Sequence, residues 1–556
     1  MNKISSSIVM ILSTFILFGC NESGTQNATT NPPIDQVDIE LKQTEQNSSI
    51  IEQGNNNIQL TPTFPEITRL TVYYDNGNLI PSIECNACDP NLYQYSWTVG
   101  GIVISTDETY APHYKNGGDG LVRLEVVGVN ADGYTDSAYS TYQISVVSEI
   151  YATDNAFAAV KNDGSVVTWG SDNHGADSSN VNFSNGINSI QTTKSAFAAI
   201  KKDGSIVAWG DADGGGDNSN VYLSSGAKEL YSNGFAFAAE LNDGAIVTWG
   251  NSNSGGDSSG VDFSTGVDSI YTNNTVFVAV KNNDSVVTWG SSMAGSNTTG
   301  VNFSGGIKAI YSNMMAFAAI KNNDSVVTWG FPLLGGDSSA VNFSGGVKDI
   351  YSTRFAFAAI KQDGSVVTWG DSASGGSSVG VDFTSGVDKI FSTRDAFAAL
   401  KNNGALVTWG SINNGGNSSA VDVSSGMKDI VSTRTAFAAL KNNGAVVAWG
   451  NGDDGGINPY GAQTGIKEIY STQSSFLAVK DNNTVVTWGN VFEGGDSSGK
   501  DFSVGIDRVY SNNTAYAVLM RDGSVITWGN PYQGGNSSSV EYLLQPSVAL
   551  VETSAN

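Results

Sequence analysis

An all-β chain is expected, most of it a β-propeller of about ten short blades behind a smaller N-terminal β-sandwich. Three observations predict it. Ten tryptophans (Trp169, Trp209, Trp249, Trp289, Trp329, Trp369, Trp409, Trp449, Trp488 and Trp528) recur 40 residues apart, with one step of 39. An aromatic stands 12 residues before each, from Phe157 in the first copy to Tyr516 in the last. The 65 glycines and a charged fraction of only 14% suit a turn-rich β protein and oppose long helices. A fixed period of this length marks a repeat architecture, whose units bury apolar surface only against their neighbours.

Residues 1–20 have the form of an export signal, with Lys3 ahead of the apolar run Ile4 to Phe18. Leu17-Phe18-Gly19-Cys20 resembles a bacterial lipobox, which implies lipidation of Cys20 and a lipoprotein of the cell envelope. Asn21, rather than Asp, after the cysteine implies the outer membrane by the same resemblance. The apolar run is short for a spanning helix, so the membrane is expected to be engaged only through the lipid. An ordinary cleaved signal or a short membrane anchor is the alternative. Residues 21–64, rich in Asn, Gln, Thr and Ser, bury too little apolar surface to offset ordering and read as a disordered linker.

Residues 65–147 change to short alternating runs. Tyr93, Tyr95, Trp97 and Val99 share one strand face before Gly100-Gly101, and Asn130-Ala131-Asp132-Gly133 supplies turn chemistry. Tyr95-Ser96-Trp97 with that turn resembles bacterial immunoglobulin-like or PKD-like domains, which implies a β-sandwich with Trp97 in its core. Cys85 and Cys88 lie between Pro81 and Pro90. With no second pair for zinc and no strand–helix context for redox work, a local disulfide is expected.

Residues 148–556 carry the propeller. In the copy beginning at Val347, Lys348–Ser352, Ala356–Ile360 and Ser365–Trp369 read as three strands. Gln362-Asp363-Gly364 joins the last two as a hairpin, which sets Phe357 opposite Trp369. Those strands are apolar on both faces, so both must be covered, as in blades packed around an axis. A parallel β-helix is the runner-up, disfavoured by the hairpin turns. Val548–Thr553 reads as the opening strand of an eleventh copy that pairs with the first blade and closes the ring.

The run Leu400–Gly410, followed by Gly415-Gly416 and Ser424-Ser425-Gly426, resembles the regulator of chromosome condensation (RCC) repeat. It is most like the short-blade form in a bacterial β-lactamase inhibitory protein. The resemblance covers about 400 of the 556 residues. It implies three-stranded blades and action by gripping a protein partner. The histidine of the family's second strand is replaced here by Phe235, Met315, Phe355 and Asp395, and ten copies exceed the usual seven, so that one ten-bladed ring is expected with an open or split array as the alternative.

A net charge of −26 opposes nucleic-acid binding. The repeats hold no cysteine and one histidine, His174, read as a solvated turn residue, so no nucleophile–base set can be assembled. Asp211, Asp213 and Asp217 faintly resemble a calcium loop but lack its closing glutamate. No enzyme, metal or cofactor is expected. Lys161, Lys201, Lys281, Lys321, Lys361, Lys401 and Lys441 read as a solvated ladder at the end of the blades that varies least.

The opposite end differs in every copy. The loop after the first strand offers Lys194, Phe235, Met314, Met315, Arg354, Phe355, Arg394 and Arg434. The loop after Trp-Gly offers Phe331, Leu333, Phe492 and Tyr532. Aromatic, Met and Arg side chains are the types enriched at interfaces, and the three arginines would form a basic arc on consecutive blades. A protein or glycan partner at this face is expected. A propeller-based carbohydrate-active enzyme and a purely structural envelope protein are the alternatives.

Overall fold

The computed structural model describes residues 64–75, 78–112, 120–223, 225–458 and 464–555. The signal segment, Cys20 and nearly all of the linker lie outside the described residues.

The N-terminal unit is built from β1 (Glu66–Asp75), β2 (Asn78–Asn86), β3 (Gln94–Val99), β4 (Ile102–Ser105), β5 (Leu121–Val129) and β6 (Thr135–Ser145). β1 and β2 pair as a two-stranded sheet, while β6, β5, β3 and β4 lie side by side in a second. Alternation along β5 buries Val122, Leu124 and Val126 against Trp97, and Ile67, Leu70 and Leu79 cover them from the hairpin. Trp97 is fully buried, as expected, and donates Nε1–H to the Asp107 carbonyl at 3.0 Å. Cys85 and Cys88 are joined by a disulfide.

Among the described residues each repeat is one three-stranded antiparallel sheet, ten in all. In the sixth blade the inner strand is Val347–Ser352, the middle Ala356–Lys361 and the outer Val366–Gly370. Phe357 pairs with Trp369, and their rings stack with centroids 5.2 Å apart. The middle strand is buried on both sides, because each blade turns its Phe and Trp to one neighbour and its small Ala residues to the other. Thus Ala316, Ala318 and Ile320 of the fifth blade pack on Val347, Ile350, Phe357 and Trp369 of the sixth.

Each indole also reaches across its interface. Trp369 donates Nε1–H to the Gly335 carbonyl of the preceding blade at 3.0 Å. Gly335 has φ +107°, and a Cβ there would stand 2.6 Å from the Phe357 ring, so both its backbone and its contact exclude a side chain. The same bond recurs at every junction, including Trp169 to Gly534 at 3.0 Å, which joins the first blade to the tenth. The ten repeats therefore close one ring.

Two expectations are corrected. Val548–Thr553 does not open an eleventh blade. The strand Ser547–Ala555 pairs antiparallel with β6, Val548 opposite Ile144 and Leu550 opposite Tyr142, as the fifth strand of the sandwich sheet. The ring is already closed, whereas β6 has an edge that needs a partner, and Val548 and Leu550 find apolar cover there. The lysines are not a solvated ladder: Lys161, Lys201, Lys281 and Lys401 are buried. Lys281 donates to the Asp262 carbonyl of the preceding blade at 2.8 Å, and Lys161 to the Leu543 carbonyl at 3.1 Å. The aliphatic stems lie between blades while the ammonium groups satisfy loop carbonyls.

Candidate binding face

At one end of the ring, a two-residue turn joins each inner strand to its middle strand. Thr353 fixes it in the sixth blade: its Oγ1 accepts from Ala356 N at 3.1 Å and donates to the Ser374 carbonyl at 2.8 Å. Ser374 belongs to the short 3-10 turn Ser372–Ser374 that follows the outer strand, so both variable loops stand at the same end, as the sequence analysis expected.

The first residues of these turns are linked around the axis by their backbones. Met314 N–H donates to Arg354 O, Arg354 to Arg394, Arg394 to Arg434, Arg434 to Gln473 and Gln473 to Asn513, all within 2.8–3.2 Å. Asn513 then donates to Asp154, Asp154 to Lys194 and Lys194 to Gly234. With neighbours a strand spacing of ~4.8 Å apart, ten such residues surround a mouth about 15 Å across. The 3-10 turns lie two strands further out, on a circle about 35 Å across.

Nine of the sequence-predicted residues therefore sit differently from the other three. Lys194, Phe235, Met314, Met315, Phe331, Arg354, Phe355, Arg394 and Arg434 are half-buried. Lys194 Nζ stands 4.9 Å from the Phe235 ring centre, and the Arg354 guanidinium 4.3 Å from that of Phe355. Asp395, buried, accepts from Arg354 at 3.2 Å and lies 3.8 Å from Arg394 Nε, tying two arginines of the arc together. Leu333, Phe492 and Tyr532 are 77%, 79% and 83% exposed on their 3-10 turns.

Burial pushes the Asp154 carboxyl up to about 6, with Lys194 and a hydrogen bond from Asn513 holding it back. Burial likewise lowers Lys194, against the Asp154 charge. His174 is half-buried rather than solvated, 2.9 Å from Asn155 Nδ2, and burial lowers its pKa. Asp211 and Asp217 accept from Ser195 and Ser219, and no group of three metal-ligating side chains occurs among the described residues.

Sequence reading missed Met293, 64% exposed, and Ile412, 70% exposed. The signal was available. Met293 stands four residues after its tryptophan, the offset of Leu333, Phe492 and Tyr532, where the other copies carry Asn, Asp or Ala. At that offset the large apolar residues fall in two pairs, on the fourth and fifth blades and on the ninth and tenth, while Ile412 stands one position earlier on the turn of the seventh blade. In a ring of ten these pairs face each other across the axis.

No family model matches the chain, and no curated protein matches it. Among solved structures it is distantly similar to RCC1-type and WD40-type propellers. Prp20p of Saccharomyces cerevisiae is 13% identical, over 57% of this chain and 86% of that one, with a TM-score of 0.32. The CRINKLY WD40 ectodomain of the Arabidopsis thaliana receptor kinase ACR4 is 14% identical, over 48% and 97%, with a TM-score of 0.29. The receptor kinase CR4 ectodomain of Physcomitrella patens is 11% identical, over 54% and 77%, with the same TM-score, 0.29. The propeller assignment rests on the strand registers and the closed ring described above.

Proposed function

We propose that this chain is a non-enzymatic lipoprotein of the bacterial cell envelope whose propeller grips a protein partner through the face of variable turns. The observation that carries this reading is the paired placement of exposed apolar side chains, Met293 with Leu333 and Phe492 with Tyr532, at opposite ends of a diameter. The opposite end of the ring repeats nearly the same hairpins in every copy. A partner that covers both pairs spans about 35 Å and crosses the mouth beside the arginine arc. Each anchor is worth about 1.5–3 kcal/mol when fully buried, so the four together offset much of the cost of association.

Photo-crosslinking residues placed at Leu333, Tyr532 and Asn253 test it, the last being the same turn position on the third blade. One protein captured from both Leu333 and Tyr532, and not from Asn253, is the expected outcome. Capture of unrelated sets from the two anchors removes the reading. The exposed rings of Phe492 and Tyr532 on adjacent blades favour a glycan as the second reading. It requires oligosaccharide binding that Phe492→Ala and Tyr532→Ala abolish.

A further inference from the structure

Nine of the ten blade junctions are crossed by the chain itself, as the segment after each 3-10 turn runs on into the next inner strand. The junction between the tenth blade and the first is not. There the chain enters the ring from β6 and leaves it toward the C-terminal strand. An open seam of this kind is held only by contacts between residues some 360 positions apart. Closing so long a loop carries the largest ordering cost in the ring.

The seam has ties that recur at other junctions and two that the others lack. The shared ones are the Trp169–Gly534 bond, the Asn513–Asp154 backbone bond at 3.2 Å and the Phe157 ring against Gly534. The first additional tie is Arg508. It donates from Nη1 to Glu149 at 2.7 Å and from Nη2 to the Ser148 carbonyl at 2.6 Å. No other blade has arginine at that position. Tyr510 reaches the other Glu149 oxygen at 2.8 Å, a bond with a counterpart between Tyr311 and Asp349 of the fifth and sixth blades. The second lies outside the ring. β6 ends at Ser145 and the inner strand of the first blade begins at Val147, so the sandwich sheet feeds directly into the seam. The strand that leaves the tenth blade returns along most of that same β6, from Ser547 opposite Ser145 to Ala555 opposite Ala138. A buried Leu544 and the Lys161–Leu543 bond direct it there.

We propose that the pairing of β6 with the C-terminal strand is the lock of the propeller. The two ends of the ring are pinned side by side in one sheet, which turns closure of the seam from a long-range event into a local one. The sandwich is thereby part of the ring's closure and not a spacer. The inference is independent of what the turn face binds.

Hydrogen exchange on the full chain tests it. Leu550→Asp sets a charge into the sandwich core and unpairs the strand without shortening the protein. The expected result is amide exchange at least about tenfold faster in the seam strands Val147–Ala152 and Ile506–Ser511. Exchange in Ile307–Ser312 and Val347–Ser352, across the ring, stays unchanged. Gln143 and Ala549 face each other across the strand pair, so Gln143→Cys with Ala549→Cys, added to Leu550→Asp and oxidised, holds the strand in place. Seam protection then returns to within about threefold of the original. If exchange rises equally around the ring, or if the seam stays fast while the strand is covalently held, the lock is overturned. Amides of β5 report in the same experiment whether the sandwich itself remains folded.

Discussion

Gly375 and Gly380 allow the two reasons for a glycine to be measured separately within one blade. Both have positive φ, +96° and +84°. A Cβ on Gly375 would stand 2.6 Å from Phe397 Cδ2, whereas one on Gly380 meets nothing within 4 Å. Gly380→Ala therefore incurs the left-handed backbone cost alone, about 1–2 kcal/mol. Gly375→Ala incurs that cost and forces the Phe397 ring away from Trp409, whose indole is held by the Gly375 carbonyl at 3.0 Å. Overpacking of a close-packed interface adds about 1–3 kcal/mol. Urea unfolding followed by tryptophan fluorescence reads the difference as a shift in midpoint at equal slope. Phe397→Leu, which shortens the obstructing ring, recovers part of the Gly375→Ala loss and none of the Gly380→Ala loss. Equal midpoints for the two alanine variants would refute the argument that the recurring glycines exist to seat the next blade's aromatic pair.

Asp154 gives a pH signature. Its carboxyl titrates at about 6 in the folded protein against 3.8 ordinarily, so the unfolded chain gives up its proton first. Stability then falls as pH rises from about 4 to about 6 and is level above. Asp154→Asn removes that fall, stabilising by on the order of 2–3 kcal/mol near pH 7.5 and not at all near pH 3.5; parallel melting curves across pH would contradict it. Tyr516 replaces the usual Phe in the one blade whose preceding neighbour has Ser475 instead of Ala; its hydroxyl accepts from Ser475 Oγ at 3.4 Å and donates to the Ser475 carbonyl at 3.0 Å, and only the first of these bonds is lost in Ser475→Ala. Tyr516→Phe and Ser475→Ala should each destabilise by about 1 kcal/mol, while the double variant costs less than their sum by about the same amount; strict additivity in the cycle denies the coupling. Cys20→Ala should abolish metabolic labelling by palmitate and move the protein out of the membrane fraction, and retention of label would remove the lipid anchor from the proposal.

The repeat geometry was legible because it is set by local rules applied ten times. Period, hairpin chemistry and the Phe357–Trp369 register follow from residues within one copy, and the apolar character of both faces demands neighbours on both sides. Relations between copies were harder to read. Lys281 appears solvated until Asp262, in the preceding blade, is brought to it across an interface. Val548 and Leu550 alternate as any half-buried strand does, and alternation does not say which sheet edge is vacant. The sequence places the turn residues at one end and the arginines in an arc on consecutive blades; that backbone bonds draw Arg354 and Arg394 around the mouth, with Asp395 between them, follows only from contacts between copies. Met293 was recoverable by comparing copies position by position, which the tryptophan ruler permits.

The indole bonds all run in one rotational sense, every blade giving a proton to the blade before it and receiving one from the blade after. Each unit thus has a donor flank and an acceptor flank, and no two identical flanks can meet. Such a head-to-tail series stops only by returning to its start, at an angle of about 36° per step for ten members. A gene carrying one copy more or fewer would need every interface to re-angle together. Failing that, it would present one unmatched flank of each kind, able to join a second molecule end to end.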